Sequence, residues 1–194
     1  EFRKQYNSWY DNMMNITDES IAASFYGAEK GLTQNGVEPL DSYVVDDGWN
    51  NYYDGTYTAT PGSSQGTTPN VTGFWEFNAK FPNELYTSSA LSDKFQSTFG
   101  LWLGPQVGYN YFGTFAQYLE SKGTGYVQND YWKNICVGSD KYVKNLQSLF
   151  IDYENRFNID YWKWDGFALR PCTNASHDHM TGGNQNMYFT SDLW

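Results

Sequence analysis

Lys163 and Asp165 stand two residues apart in the segment Ile159-Asp160-Tyr161-Trp162-Lys163-Trp164-Asp165. The segment reads as a short aromatic strand, and residues two apart on a strand point to the same side. An ammonium and a carboxylate set among aromatic rings carry a desolvation cost that a strand end has no structural need to bear. The pair suits work on a bound molecule. The carboxylate can serve as nucleophile or as partner of a developing positive charge, and the lysine can lower its pKa and donate hydrogen bonds. A retaining glycosidase needs such a carboxylate, with a second acid about 5–5.5 Å from it. A second segment, Tyr43-Val44-Val45-Asp46-Asp47-Gly48-Trp49, ends in acids as well. Adjacent acids on a regular strand face opposite ways, but Gly48 predicts a turn that lets both carboxylates accept hydrogen bonds from sugar hydroxyls. Acids delivered at the C-terminal ends of two separate strands are the layout of a barrel or open-sheet active site.

Other candidate groups weigh less. His177-Asp178-His179 is a weak metal pattern, because structural metal sites draw four ligands at characteristic spacings. It reads as a loop hydrogen-bonded over a pocket mouth, and no metal is expected. Gly182-Gly183 has no strand-to-helix context for a phosphate cradle, and no other cofactor motif is present, so no cofactor is expected. Cys136 and Cys172 are too few for a disulfide framework and read as free thiols; a bridge between them requires an oxidising compartment.

These residues need elements to hold them. Residues 6–10 are predicted as a first strand. Thr17-Asp18-Glu19 opens a helix with acids in its first turn, and Ile21, Phe25, Ala28 and Leu32 form one apolar face that ends at Asn35-Gly36. Residues 41–47 form a second strand, followed by a long polar loop over 50–72, a position where long loops are often functional. A helix is expected over 83–97 and a third strand at Phe99-Gly100-Leu101-Trp102-Leu103, stopped by Gly104-Pro105. A helical piece near 111–122 follows. Ser139-Asp140 then starts the clearest helix, with the stripe Tyr142, Val143, Leu146, Leu149, Phe150, Tyr153 and Phe157. The fourth strand covers 159–165, and a last helix starts near Met187. This alternation of strand and helix implies parallel strands.

The 194 residues suffice for one domain with a sizeable core. Aromatic residues make up 20%, with 17 Tyr, 13 Phe and 8 Trp, which is more flat surface than such a core requires. Sugar rings present apolar C–H faces, so a carbohydrate cleft accounts for part of the surplus. A net charge of −10 argues against nucleic-acid binding and against an anionic membrane surface. No apolar stretch approaches the roughly 18 residues of a membrane span, and no signal peptide opens the sequence. The compartment, cytoplasmic or secreted, stays open.

The segments YNSWY, YVVDDGW, FGLWLGP and YWKWDGF, in that order, resemble the first four barrel strands of family 36 glycoside hydrolases, the α-galactosidases and α-N-acetylgalactosaminidases. The resemblance runs from about Tyr6 to Trp194. It implies a (β/α)₈ barrel of the α/β class, of which residues 1–194 supply about the first four β/α units as the N-terminal half of a catalytic domain. It implies a retaining mechanism with Asp165 as catalytic nucleophile. Lys163, Asp46 and Asp47 would bind sugar hydroxyls, Trp9 would pack against the sugar, and Trp102 completes the expected substrate-binding set. The family's general acid/base is an aspartate on a later strand, with no counterpart here. The expected partner is therefore a carbohydrate substrate, with hydrolysis beyond the reach of this fragment alone and self-association of its uncovered edges expected. LGPQ in the third strand and Gly166-Phe167 after Asp165 differ from the usual bacterial α-galactosidase pattern, so galactose and N-acetylgalactosamine both stay open. A non-catalytic carbohydrate-binding module is the alternative class. The Lys163–Asp165 pair favours the enzyme, since a lectin has no use for a nucleophile.

Overall fold

The computed structural model describes residues 3–51, 75–105, 135–165, 172, 174–177 and 179. The chain divides into two units, Glu1–Leu103 with Tyr153–Lys163, and Gly104–Asp152 with Trp164–Trp194.

In chain order the described elements are β1 (Gln5–Asn7), α1 (Trp9–Asn12), α2 (Asp18–Thr33), β2 (Ser42–Val45), α3 (Tyr86–Lys94), β3 (Thr98–Leu103), α4 (Asp140–Phe157) and β4 (Ile159–Trp164). The strands form one sheet in the order β1-β2-β3-β4. The sheet is parallel, with Tyr6 opposite Tyr43, Tyr43 opposite Phe99 and Val45 opposite Leu101. A parallel sheet covered on both faces asks for continuous apolar strands. β2 meets this with four buried residues in a row, and β3 with Phe99, Leu101, Trp102 and Leu103 buried. Gly100 sits where only glycine fits: a Cβ there would lie 2.9 Å from both Val44 Cγ2 and Tyr161 Cδ1.

The face of α2 seen in the sequence packs on this sheet. Thr17 caps it, accepting from Ser20 N at 2.9 Å while Ser20 Oγ accepts from Thr17 N at 2.8 Å. Ile21 and Phe25 are buried, Ala28 and Leu32 half-buried. Phe25 lies 4.9 Å from the Tyr43 ring, and Tyr43 lies 5.4 Å from Phe95. Burying a side chain of the size of Phe25 is worth about 1.5–3 kcal/mol. The Tyr43 hydroxyl donates to Glu29 Oε2 at 2.8 Å, which satisfies a polar atom at the edge of the core. A second aromatic cluster joins Trp49, Phe77, Tyr153 and Phe157 within the same unit, the Phe77 and Tyr153 rings stacking at 5.5 Å.

The first strand is shorter than the sequence predicts. It stops at Asn7, and the expected strand residues Trp9 and Tyr10 begin α1 instead. The cause is local: Asn7 Oδ1 accepts from Trp9 N at 2.9 Å, an asparagine turn that competes with the strand ladder. β2 and β4 also end early, at Val45 and Trp164, so that Asp46, Asp47 and Asp165 follow their strands instead of closing them. The helix expected over 83–97 is confined to Tyr86–Lys94.

In the second unit, α4 buries Tyr142, Val143, Leu146 and Phe150. The Tyr142 hydroxyl donates to Pro105 O, and Phe150 stacks on Trp164 at 5.5 Å. Leu149 of the predicted stripe is half-buried. The helical piece near 111–122, the helix from Met187, and the loop after Asn51 lie outside the described residues. Among the described residues no helix is long and apolar enough to cross a membrane.

Candidate active site at the strand ends

Three strand ends converge on one carboxylate. Asp46, directly after β2, is 1% exposed. Its Oδ2 accepts from Lys163 Nζ of β4 at 2.7 Å and from Asn7 Nδ2 of β1 at 2.7 Å. Its Oδ1 accepts from Asp47 N at 2.8 Å, and its own N–H donates to Ser8 Oγ at 2.9 Å. A buried carboxylate is tolerable only when paired and hydrogen-bonded, and Asp46 is both.

Gly48 makes the turn after these acids. Its φ of +120° is open to glycine alone, and a Cβ would meet Met14 O at 2.6 Å. The turn expected from Gly48 is therefore present, and it leaves Asp46 and Asp47 both buried. Beyond it, Trp49 donates its indole N–H to Trp102 O at 2.9 Å, tying β3 to the segment after β2. Asn78 N–H donates to Trp49 O at 3.0 Å, and Asn78 Nδ2 donates to Gly48 O at 2.8 Å, so the returning chain braces the turn.

Lys80 stands in the same region. Burial pulls its ammonium down to about 7, and the negative charge of Asp47 offsets part of that fall. Neither the sequence motifs nor the strand pattern marks Lys80; only its placement near Asp47 brings it to notice. Asn7 was also missed, although its place at the end of the first strand could have suggested it.

The sequence-predicted residues fall into three groups. Asp46, Asp47 and Lys163 meet at the strand ends, with Trp9 beside them: Lys163 Nζ lies 6.0 Å from its ring centroid, at the outer limit for a cation–π contact. Trp102 is 1% exposed and belongs to the interior of β3. Asp165 follows β4 one residue past Trp164, is exposed, and falls in the second unit. Lys163, expected from the sequence to stand beside Asp165 on one side of the strand, pairs with Asp46. The same-side rule holds only while the strand continues, and β4 stops before Asp165.

A separate cluster lies within the second unit. The metal-donor atoms of Cys136, Cys172, His177 and His179 all lie within 4.8 Å of one another. Cys136 Sγ is 3.0 Å from His179 Nε2, and Cys172 Sγ is 3.1 Å from His177 Nδ1. Both cysteines are buried and neither is in a disulfide. Burial, with Cys172 alongside, pushes the Cys136 thiol up to about 12. The sequence reading expects no metal here because it weighs the two histidines without the two cysteines.

A groove of about 950 Å³ opens at the opposite ends of the strands, lined by residues that include Lys4, Asp41 and Thr98. It lies before the starts of β1, β2 and β3, away from the acids, and in α/β folds ligands bind at the carboxyl ends of strands.

No family model matches the sequence, and no curated protein matches it. Solved structures do match in fold. A GH36 α-galactosidase variant from Geobacillus stearothermophilus, in complex with 1-deoxygalactonojirimycin, aligns at a TM-score of 0.64 and 15% identity, over 100% of this chain and 25% of that one. The α-galactosidase from Lactobacillus brevis aligns at 0.63 and 18% identity, over 100% of this chain and 24% of that one. An α-galactosidase from Thermus thermophilus, in complex with p-nitrophenyl α-D-galactopyranoside, aligns at 0.56 and 15% identity, over 84% of this chain and 30% of that one. Identities this low make the likeness one of fold. The chain spans about a quarter of the length of the first two of these structures.

Proposed function

We propose that this chain is the N-terminal half of the (β/α)₈ catalytic domain of a retaining glycoside hydrolase that removes terminal α-linked galactose or N-acetylgalactosamine from oligosaccharides and glycoconjugates. The observation that carries the reading is the network of Asn7, Asp46 and Lys163. It gathers polar groups from β1, β2 and β4 at the carboxyl ends of a parallel sheet, where such folds bind ligands. The likeness in fold to α-galactosidases supports it.

In this reading Asp165 attacks the anomeric carbon and forms a glycosyl ester, which water then hydrolyses. Its exposure leaves the carboxylate accessible to a sugar. The acid that protonates the departing oxygen comes from a later strand outside this sequence. Lys163 has three N–H donors, of which Asp46 takes one, so others remain for sugar hydroxyls. Asp46 and Asp47 accept from the hydroxyls far from the cleaved bond, and Trp9 packs against the apolar face of the ring.

The test is covalent labelling of the intact protein with an activated 2-fluoro or cyclitol galactose analogue, followed by peptide mapping. A label on Asp165 is the expected result; a label on another residue overturns the assignment. The 194-residue chain alone is expected to leave nitrophenyl α-galactoside and α-N-acetylgalactosaminide uncleaved, because one of the two carboxylates is missing. Sugar binding by the intact protein with no label and no turnover would favour a non-catalytic binding module.

A further inference from the structure

We propose that Cys136, Cys172, His177 and His179 form a structural zinc(II) site. The site is independent of the glycosidase reading and lies wholly within the second unit. It joins two stretches of chain: the buried residues 135–139, just before α4, and the stretch 172–179 that follows β4.

Donor chemistry is the first argument. Two sulfurs and two imidazole nitrogens are a common donor set for tetrahedral zinc, and softness disfavours magnesium and calcium, which prefer oxygen. All four positions are supplied by the protein, so the site is closed in the manner of structural zinc, with no open position for a catalytic water.

Geometry is the second. Zn–S near 2.3 Å and Zn–N near 2.0–2.1 Å at tetrahedral angles place donor atoms roughly 3.3–3.8 Å apart. Here the four donors lie within 4.8 Å of one another, with two sulfur–nitrogen distances of 3.0 and 3.1 Å. The two sulfur–nitrogen contacts fall tenths of an ångström inside ligand spacing, and the full spread of the donors exceeds it by about 1 Å. The His177 and His179 rings meet edge to face, at 76° and 5.4 Å between centroids, which leaves room for both imidazoles beside one ion.

The backbone around Cys136 is the third. Ser139 N–H donates to Cys136 O at 3.2 Å, closing a tight turn that holds Cys136 just before α4. A turn that fixes the backbone of a ligand cysteine limits the ordering cost of bringing it to the ion.

Electrostatics agrees. Binding releases the two thiol protons to solvent, leaving two thiolates, two neutral imidazoles and one dication. The assembled unit carries no net charge, which suits a site where three of the four residues are buried. The ion would pin Cys172, His177 and His179 to Cys136 just before α4.

Metal analysis of the purified 194-residue chain, expressed in zinc-supplemented medium, tests the proposal. One zinc per chain is expected after exhaustive dialysis. Removing it and adding cobalt(II) is expected to give the intense visible bands of tetrahedral cobalt–thiolate coordination. Cys172→Ser is expected to lose those bands. His177→Gln is expected to weaken cobalt binding by more than the roughly 10–100-fold typical of losing an outer-shell partner. Should either variant fail to fold, the wild-type cobalt spectrum and thiol count decide alone. A disulfide between Cys136 and Cys172 in the protein as purified overturns the proposal. So does a fully reduced wild-type chain that retains no zinc and gives only the pale spectrum of hydrated cobalt.

Discussion

Lys163 reaches Asp46 across a strand that separates them: β3 runs between β2 and β4, yet Lys163 Nζ lies 2.7 Å from Asp46 Oδ2. Neighbouring strands sit about 4.8 Å apart, so the lysine stem, the hydrogen bond and the aspartate side chain together span roughly twice that distance. The contact ties the carboxyl ends of β2 and β4 together and adds Asn7 of β1 to the same oxygen.

Breaking this tie should cost stability. Lys163→Met leaves a buried carboxylate with only Asn7 and the Asp47 amide as donors. A loss of about 2–4 kcal/mol is expected, near the lower part of the range for breaking a buried pair, because the Lys163 side chain is 32% exposed. Adding Asp46→Asn should cost less than the two single changes summed. Urea denaturation of the four proteins measures both quantities, and a single-variant loss below about 0.5 kcal/mol would show the pair to be idle.

Stability should rise with pH above neutrality, and Lys80 is the reason. Its folded pKa of about 7 lies below the usual lysine value of 10.5, so between these the unfolded chain holds a proton that the folded chain has released. Stability therefore climbs from pH 7 towards pH 10. Above pH 10 the trend reverses: burial holds the Tyr6 phenol near 12 and Tyr43 higher still, so the unfolded state sheds those protons first. Lys80→Met should flatten the rise between pH 7 and 10. Denaturation midpoints across that window decide it, and an unchanged slope would mean that Lys80 titrates normally.

Glycine substitutions should rank by what each Cβ meets. Gly48→Ala combines a φ of +120° with a backbone oxygen at 2.6 Å and should destabilise by about 3 kcal/mol or more. Gly100→Ala meets the Val44 and Tyr161 side chains, and a loss of about 1–3 kcal/mol is expected. Gly27→Ala, within α2 with nothing near its Cβ, should stabilise by about 0.5–1 kcal/mol. Thermal unfolding gives the order, and Gly48→Ala falling within error of wild type would contradict it.

On the proposed glycosidase reading, Asp165→Asn in the intact protein should abolish nearly all turnover while sugar binding persists, since the amide keeps the shape but forms no glycosyl ester. Asp165→Gly should regain rate when azide is added, as a small anion enters the vacated space. Asp47→Asn should instead raise KM and lower kcat together, because a hydroxyl contact serves ground and transition states alike. Steady-state kinetics with and without azide separates these. Wild-type turnover in Asp165→Asn would remove it from the mechanism.

Much of the architecture was legible from the sequence because it is written in local periods. The α2 face of Ile21 and Phe25, the α4 stripe and the unbroken apolar run of β3 follow from repeats of 3.6 and from two-sided burial. Gly48 announced its turn, since few residues other than glycine adopt its backbone angle. What the sequence by itself determined was the order of the four strands with α2, α3 and α4 among the described residues, and that acids would stand at the ends of β2 and β4. Tertiary structure alone decided which charges meet. Lys163 finds Asp46, 117 positions away, because parallel strands bring their carboxyl ends together, while Asp165 two residues on escapes the register when β4 stops. It likewise decided that Cys136 and His179, 43 positions apart, share a cluster with Cys172 and His177. Spacing rules reach only as far as one helix or strand. A site assembled from several segments depends on how those segments pack, and no periodicity records that.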